Sequence, residues 1–269
     1  MLLIQGFRNS CYFLRSSLKF LKKNPDLIIL PVLSIIALVI LLFSLIKMLI
    51  YLQVNQSMFI IGLVLIYFLL AFVAVLFNAA FVACVIQRLQ GGRLTLFQAM
   101  LISLKKAGAL LKWTMISATL SVLFSSFEHL SDALAKLIAT LFGFSWTVNT
   151  HFVLPIMVNE NLNAIKAFQK SIRRVGKGWR NIVSINLLVF LVLVALGGLA
   201  YLFASFFLHS QYTLNLTINL PLCLLLLICW LVSIKTFNAI YNSALYLHLN
   251  EKKQDYFDDE ILNRVIIKK

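Results

Sequence analysis

Residues Met58–Ile86 read MFIIGLVLIYFLLAFVAVLFNAAFVACVI, with no Asp, Glu, Lys or Arg among them. A helix needs roughly 20 apolar residues to cross the hydrocarbon of a bilayer, and this run exceeds that. Working outward, five more stretches qualify or nearly do: Leu27–Leu52, Ala109–Phe127, Ala133–Val158, Ile182–Leu208 and Leu220–Leu247. In chain order the third is the shortest and the fourth the most polar. The whole chain agrees: 61% of its 269 residues are apolar and 12% charged, with a mean hydropathy of +0.94. Soluble domains run about 45–50% apolar and about 25% charged, so this composition cannot be folded away inside one. One membrane domain is the economical reading.

A net charge of +15 raises the question of a nucleic-acid partner, and its distribution answers it. The cations fall between apolar runs, on alternate sides. Arg8, Arg15, Lys19, Lys22 and Lys23 precede the first span. Arg88, Arg93, Lys105, Lys106 and Lys112 lie between the second span and the first turn of the third. Lys166, Lys170, Arg173, Arg174, Lys177 and Arg180 lie between the fourth and fifth, and Lys252, Lys253, Arg264, Lys268 and Lys269 lie in the tail. The opposite gaps, Gln53–Ser57, Glu128–Lys136 and His209–Asn219, hold one Lys between them. Cytoplasmic loops carry such an excess, so both termini and all basic connections are expected in the cytoplasm. The charge is then topological, and nucleic acid is not an expected partner. The first residues do not read as a cleavable signal peptide, because apolar Met1–Ile4 precedes the basic stretch.

Two basic connections share a pattern at an offset of 68 residues: Gln98–Gly108 (QAMLISLKKAG) and Lys166–Gly176 (KAFQKSIRRVG) agree in Ala, Ser, the basic pair and Gly. Each has apolar residues at helical spacing (Leu96, Met100, Leu104; Ile165, Phe168, Ile172), as interfacial helices do. Phe7–Lys23 is read as a diverged third copy, with Asn24-Pro25-Asp26 turning the chain into the first span. The expected fold class is all-α, a polytopic membrane bundle of six transmembrane helices with cytoplasmic amphipathic interfacial helices. It is arranged as three parallel repeats of helix plus two spans. The expected organisation is a cytoplasmic amphipathic helix at 1–26, a six-span domain at 27–247 and a charged cytoplasmic tail at 248–269.

Ionisable and polar groups inside a bilayer point to function by default. The fourth span carries Ser145, Trp146, Thr147, Asn149, Thr150 and His151 ahead of Pro155; the second carries Asn78, and the sixth Lys235 with Ser233, Thr236 and Asn238 nearby. Asn78, Thr147, Asn149, Thr150, His151 and Lys235 are therefore the candidate polar intramembrane site, with interhelical hydrogen bonding as the structural alternative. Lys47 is close enough to its span's end to snorkel, and for Lys235 the alternative to lining a polar cavity is snorkelling toward the cytoplasmic face. Lys105, Lys106, Lys170, Arg173 and Arg174 are candidate contacts for anionic lipid. Glu128, His129 and Asp132 form one short cluster without a second, so no metal is expected. Cys11, Cys84, Cys223 and Cys229 lack metal-ligand spacing and are read as free apolar residues. No G-x-S-x-G, H-E-x-x-H, P-loop or Gly-rich nucleotide motif occurs. No catalytic residue and no cofactor is expected, and the chain is not read as an enzyme.

Several stretches resemble a family of uncharacterised bacterial integral membrane proteins known only as a domain of unknown function. They are Ser17–Leu27 leading to Pro31, Phe77–Ala80, Arg88–Gly92, Trp113, Ser145–Thr147 through Phe152–Pro155, Ala167–Ser171 and Gly178-Trp179. The family usually ends that last stretch in a Lys-x-Trp-Gly-like pattern, where this chain has Lys177-Gly178-Trp179-Arg180, which blurs the start of the fifth span. The resemblance implies a six-span fold in a bacterial inner (plasma) membrane and carries no activity. The leading functional expectation is a non-enzymatic membrane-organising or accessory protein, whose basic cytoplasmic helices face lipid or bind a partner. The alternative is a transporter or channel for a small solute or lipid. Membrane lipids are the expected partners, with a protein partner or homo-oligomer left open.

Overall fold

The computed structural model describes residues 12, 15–53, 55–128, 143, 145–146, 149–175, 194, 197–198, 216–251 and 254–257. Every regular element among them is a helix: α1 (15–23), a 3-10 turn Pro25–Ile28 leading into α2 (Ile29–Tyr51), α3 (Gln56–Leu89), α4 (Leu96–Lys105), α5 (Ala107–Glu128), α6 (Val153–Glu160), α7 (Ala164–Val175) and α8 (Leu216–Leu249). Pro25–Tyr51, Gln56–Leu89 and Ala107–Phe124 are long and apolar enough to cross a membrane by length and composition. They coincide with the first three expected spans. Of the other three, 182–208 lies almost wholly, and 133–158 in large part, outside the described residues; α8 occupies the position of the last. Thr147, residues 1–11 and the end of the tail also lie outside them.

Local chemistry sets the joints. Asn24 Nδ2 donates to Phe20 O at 3.0 Å and closes α1, and Pro25, whose missing N–H costs nothing in a first turn, opens the next element. Asn55 Oδ1 accepts from Met58 N at 2.9 Å and caps α3. At the other end Gly91 adopts φ +78, the left-handed position that ends helices and favours glycine. Thr95 and Gln98 then form a reciprocal capping box for α4. Asn161, with φ 55, ends α6, and Asn163 Oδ1 accepts from Lys166 N to start α7.

The first half of α3 and most of α2 present large apolar side chains outward, among them Ile40, Phe43 and Leu65. The second half of α3 is buried on nearly every side from Ala79 to Ile86 and packs against α2, α4, α5, α6 and α8. Ala79, Ala80 and Ala83 let those helices approach closely, which is how helices associate where lipid already satisfies the hydrophobic effect.

In α4 Ala99 and Ser103, and in α7 Ala164, Ala167, Ser171 and Val175, are buried. Of the expected apolar stripes, Leu96, Met100 and Phe168 pack partly against the core, while Leu104, Ile165 and Ile172 are exposed, as are Phe97 and Leu101. Small side chains let each helix lie flat against the bundle. The serines at the shared offset both dock their helices. Ser103 Oγ donates to Leu76 O at 2.7 Å, and Ser171 Oγ donates to Asn149 O at 2.5 Å while accepting from Phe152 N at 3.2 Å.

Candidate functional site

Ahead of α6 the chain makes a turn at residues 150–152. The buried Ser171 hydroxyl takes up Asn149 O and Phe152 N at this turn, and Pro155 has no N–H to return to the preceding turn. The turn forms one wall of a cavity of about 470 Å³, within the range of small-molecule sites. The start of α2 adds Ser34, the middle of α3 adds Asn78, α5 adds Trp113 and Ser117, and the turn adds Trp146, Thr150 and His151. From α8 come Lys235, Asn238 and Asn242, whose spacing of three and four places them on one helical face. Leu30, Phe77, Phe81, Val82 and Leu154 supply apolar wall.

Of the expected intramembrane site, the structure brings Asn78, Thr150, His151 and Lys235 together around this cavity. Asn149 is not on its wall; its amide turns back to Ser145 O at 2.9 Å and Ser145 Oγ at 3.2 Å. Thr147 lies outside the described residues. Asn242, which faces His151, was not singled out from sequence, and its Oδ1 is buried with no hydrogen-bond partner among the described residues. The readable signal was the recurrence of Lys235, Asn238 and Asn242 on an otherwise apolar helix. Thr236 bonds back to Val232 O at 2.7 Å and does not line the cavity.

The five cations expected to meet anionic lipid divide into two groups. Lys105 and Arg173 are exposed. Lys106 turns inward, its Nζ donating to Met157 O at 2.9 Å and to Val158 O, which satisfies the open carbonyls at the end of α6; burial pushes its ammonium pKa below the ordinary lysine value. Lys170 pairs with Glu160. Arg174 lies 3.0 Å from Glu160 Oε1, donates to Asn250 Oδ1 at 2.5 Å and sits over the Tyr246 ring. Tyr246 OH donates to Glu160 Oε1 at 3.0 Å and accepts from Asn159 Nδ2 at 2.8 Å. Burial opposes the Glu160 charge, but Lys170, Tyr246 and Arg174 outweigh it and hold the carboxyl below its ordinary value. Lys106 thus joins the α4–α5 junction to α6, and Lys170 and Arg174 join α6, α7 and the end of α8.

The family of unknown function DUF6159 matches residues 57–256 of the 269. The chain belongs to this family. The DUF6159 match takes in all of the cavity wall from Ala74 to Asn242 and both docked helices. Leu30, Pro31, Ser34 and the similar stretch Ser17–Leu27 lie ahead of the DUF6159 match. No curated protein matches the chain.

Proposed function

We propose that this protein is a non-enzymatic, multi-pass membrane protein that holds a small polar or amphipathic ligand at membrane depth, as a carrier or lipid-binding accessory. The observation that carries this reading is the cavity, where side chains from several helices and an interrupted turn converge on one apolar-walled space. Six spans rest on the apolar stretches of the sequence and cytoplasmic termini on its Lys and Arg distribution, while a bacterial inner-membrane location is what the family resemblance implies. For the reading of three parallel units of helix plus two spans, the support is the matched roles of α4 and α7 at the 68-residue offset. Ala99 and Ala167 are both fully buried, Ser103 and Ser171 both bond a carbonyl, and Lys106 and Arg174 both reach inward.

Single cysteines at Ser57, Gly91, Asn78 and Asn238, in a version without the native cysteines, test the reading with a membrane-impermeant thiol reagent. Ser57 is expected to label from outside and Gly91 only from the cytoplasm, with Asn78 or Asn238 labelling from at least one side. Labelling of Ser57 and Gly91 from the same face would remove the topology. Silence at both Asn78 and Asn238 from either face would remove the ligand cavity.

The exposed Phe97, Leu101, Leu104, Ile165 and Ile172 beside Lys105 and Arg173 favour a second role for α4 and α7, contact with anionic headgroups. In native mass spectrometry from mixed-lipid nanodiscs, the Lys105→Gln/Arg173→Gln pair is expected to retain several-fold less anionic lipid than the parent. Equal retention would confine those helices to a structural role.

A further inference from the structure

We propose that the cavity receives a single anionic oxyacid group, a carboxylate or a phosphate ester, with Lys235 as its counter-charge; this rests on the ligand-binding reading above. Lys235 lies on the wall of the cavity, on the face of α8 that also carries Asn238 and Asn242, and its side chain is exposed. Cations on an apolar membrane helix are normally paired. No Asp or Glu lines the cavity, and among the described residues Lys235 makes no ion pair.

The sequence narrows the remaining routes. Between Asp26 and Glu128, between Asp132 and Glu160, and between Glu160 and Glu251 there is no acidic residue, so the stretches 133–159 and 161–250 cannot supply a carboxylate whatever their placement. Asp26 is held by Arg88 at 2.6 Å, and Glu160 by Lys170 and Arg174. Among the described residues the cavity brings a cation and no carboxylate for it, and a ligand anion completes the pair.

The rest of the lining fits such a group. Asn78 and Asn238 carry amide donors from which an oxyanion can accept. Leu30, Phe77, Phe81 and Leu154 suit an acyl chain attached to the anion. The shared chemistry is the oxyanion, and its source is either a lipid or fatty acid within the membrane or a water-soluble organic anion.

The full-length protein in zwitterionic nanodiscs would be titrated with oleate, with oleyl alcohol as its uncharged counterpart, and with acetate and inorganic phosphate as soluble anions. The parent is expected to bind oleate at least tenfold more tightly than oleyl alcohol. Lys235→Gln is expected to weaken oleate by about tenfold to a hundredfold, the range of a charge-assisted hydrogen bond, and to leave oleyl alcohol unchanged. Lys235→Arg should keep most of the affinity, and Lys47→Gln all of it. Saturable, Lys235-dependent binding of acetate or phosphate without oleate would also support the anion site and assign a soluble source. Equal binding of oleate and oleyl alcohol, or of oleate by parent and Lys235→Gln, would overturn the inference while leaving a ligand cavity in place. Failure of every probe on folded protein would remove both.

Discussion

Arg88→Ala is expected to lower the stability of the solubilised protein by about 2–3 kcal/mol, read as a loss of thermal midpoint and of yield from the membrane. The Arg88 guanidinium meets Asp26 in a fork, at 2.7 Å to Oδ1 and 2.6 Å to Oδ2. It also donates to Leu94 O at 3.1 Å from NH2 and 3.3 Å from Nε, and to Asn24 Oδ1 at 3.3 Å. One side chain thus ties the entry to α2, the end of α3 and the loop before α4. Removing a partner from a fully buried pair costs about 3–5 kcal/mol; Asp26 is 44% exposed, which argues for a lower figure. Lys at this position keeps the charge and loses the fork, so Arg88→Lys should recover only part of the stability. Full recovery by Lys, or no loss in Ala, would show that the fork contributes little.

Glu160→Gln is expected to cost about 3 kcal/mol at neutral pH, because it removes the negative charge and one of the two acceptor oxygens shared by Lys170, Arg174 and Tyr246 and leaves the largely buried Arg174 uncompensated. The same group gives a pH signature. Its folded pKa lies below the ordinary 4.5, so the carboxylate favours the folded state fully at pH values above 4.5. That contribution fades as the pH falls through the lowered folded value. Thermal midpoints of the parent should fall over this acidic window, and those of Glu160→Gln should be flatter there. Parallel curves for the two proteins would place the acid sensitivity elsewhere.

The first three spans are legible in the sequence because periodicity scarcely matters when a segment is apolar on every side: length and the absence of charge suffice. The joints are legible as well, since Asn24-Pro25, Gly91 and Thr95 act through neighbours in sequence. The packing faces of α4 and α7 are half legible: Leu96, Met100 and Phe168 of the apolar stripes meet the core, but the most deeply buried positions, Ala99, Ser103, Ala167 and Ser171, rank low in hydropathy because close helix contact selects small side chains. Of the basic pairs, Lys105 and Arg173 point away while Lys106 and Arg174 find Met157, Val158, Glu160 and Asn250, partners 51 to 76 residues away or, for Glu160, across a turn. Nothing local distinguishes the two members of each pair. The cavity is half visible: unusual polar residues announce Asn78, His151 and Lys235, but only the folded chain adds Ser34, Ser117 and Asn242 to them.

Two of the four tryptophans line the cavity. Trp113 and Trp146 stack with centroids 5.8 Å apart, and Phe168 of α7 lies 5.0 Å from Trp146. Indole emission depends on the polarity around the ring, and stacked indoles exchange excitation over so short a distance. The protein therefore carries an optical gauge where its chemistry is concentrated. Wetting, filling or emptying of that space registers in the native fluorescence, without a label and whatever the molecule that enters.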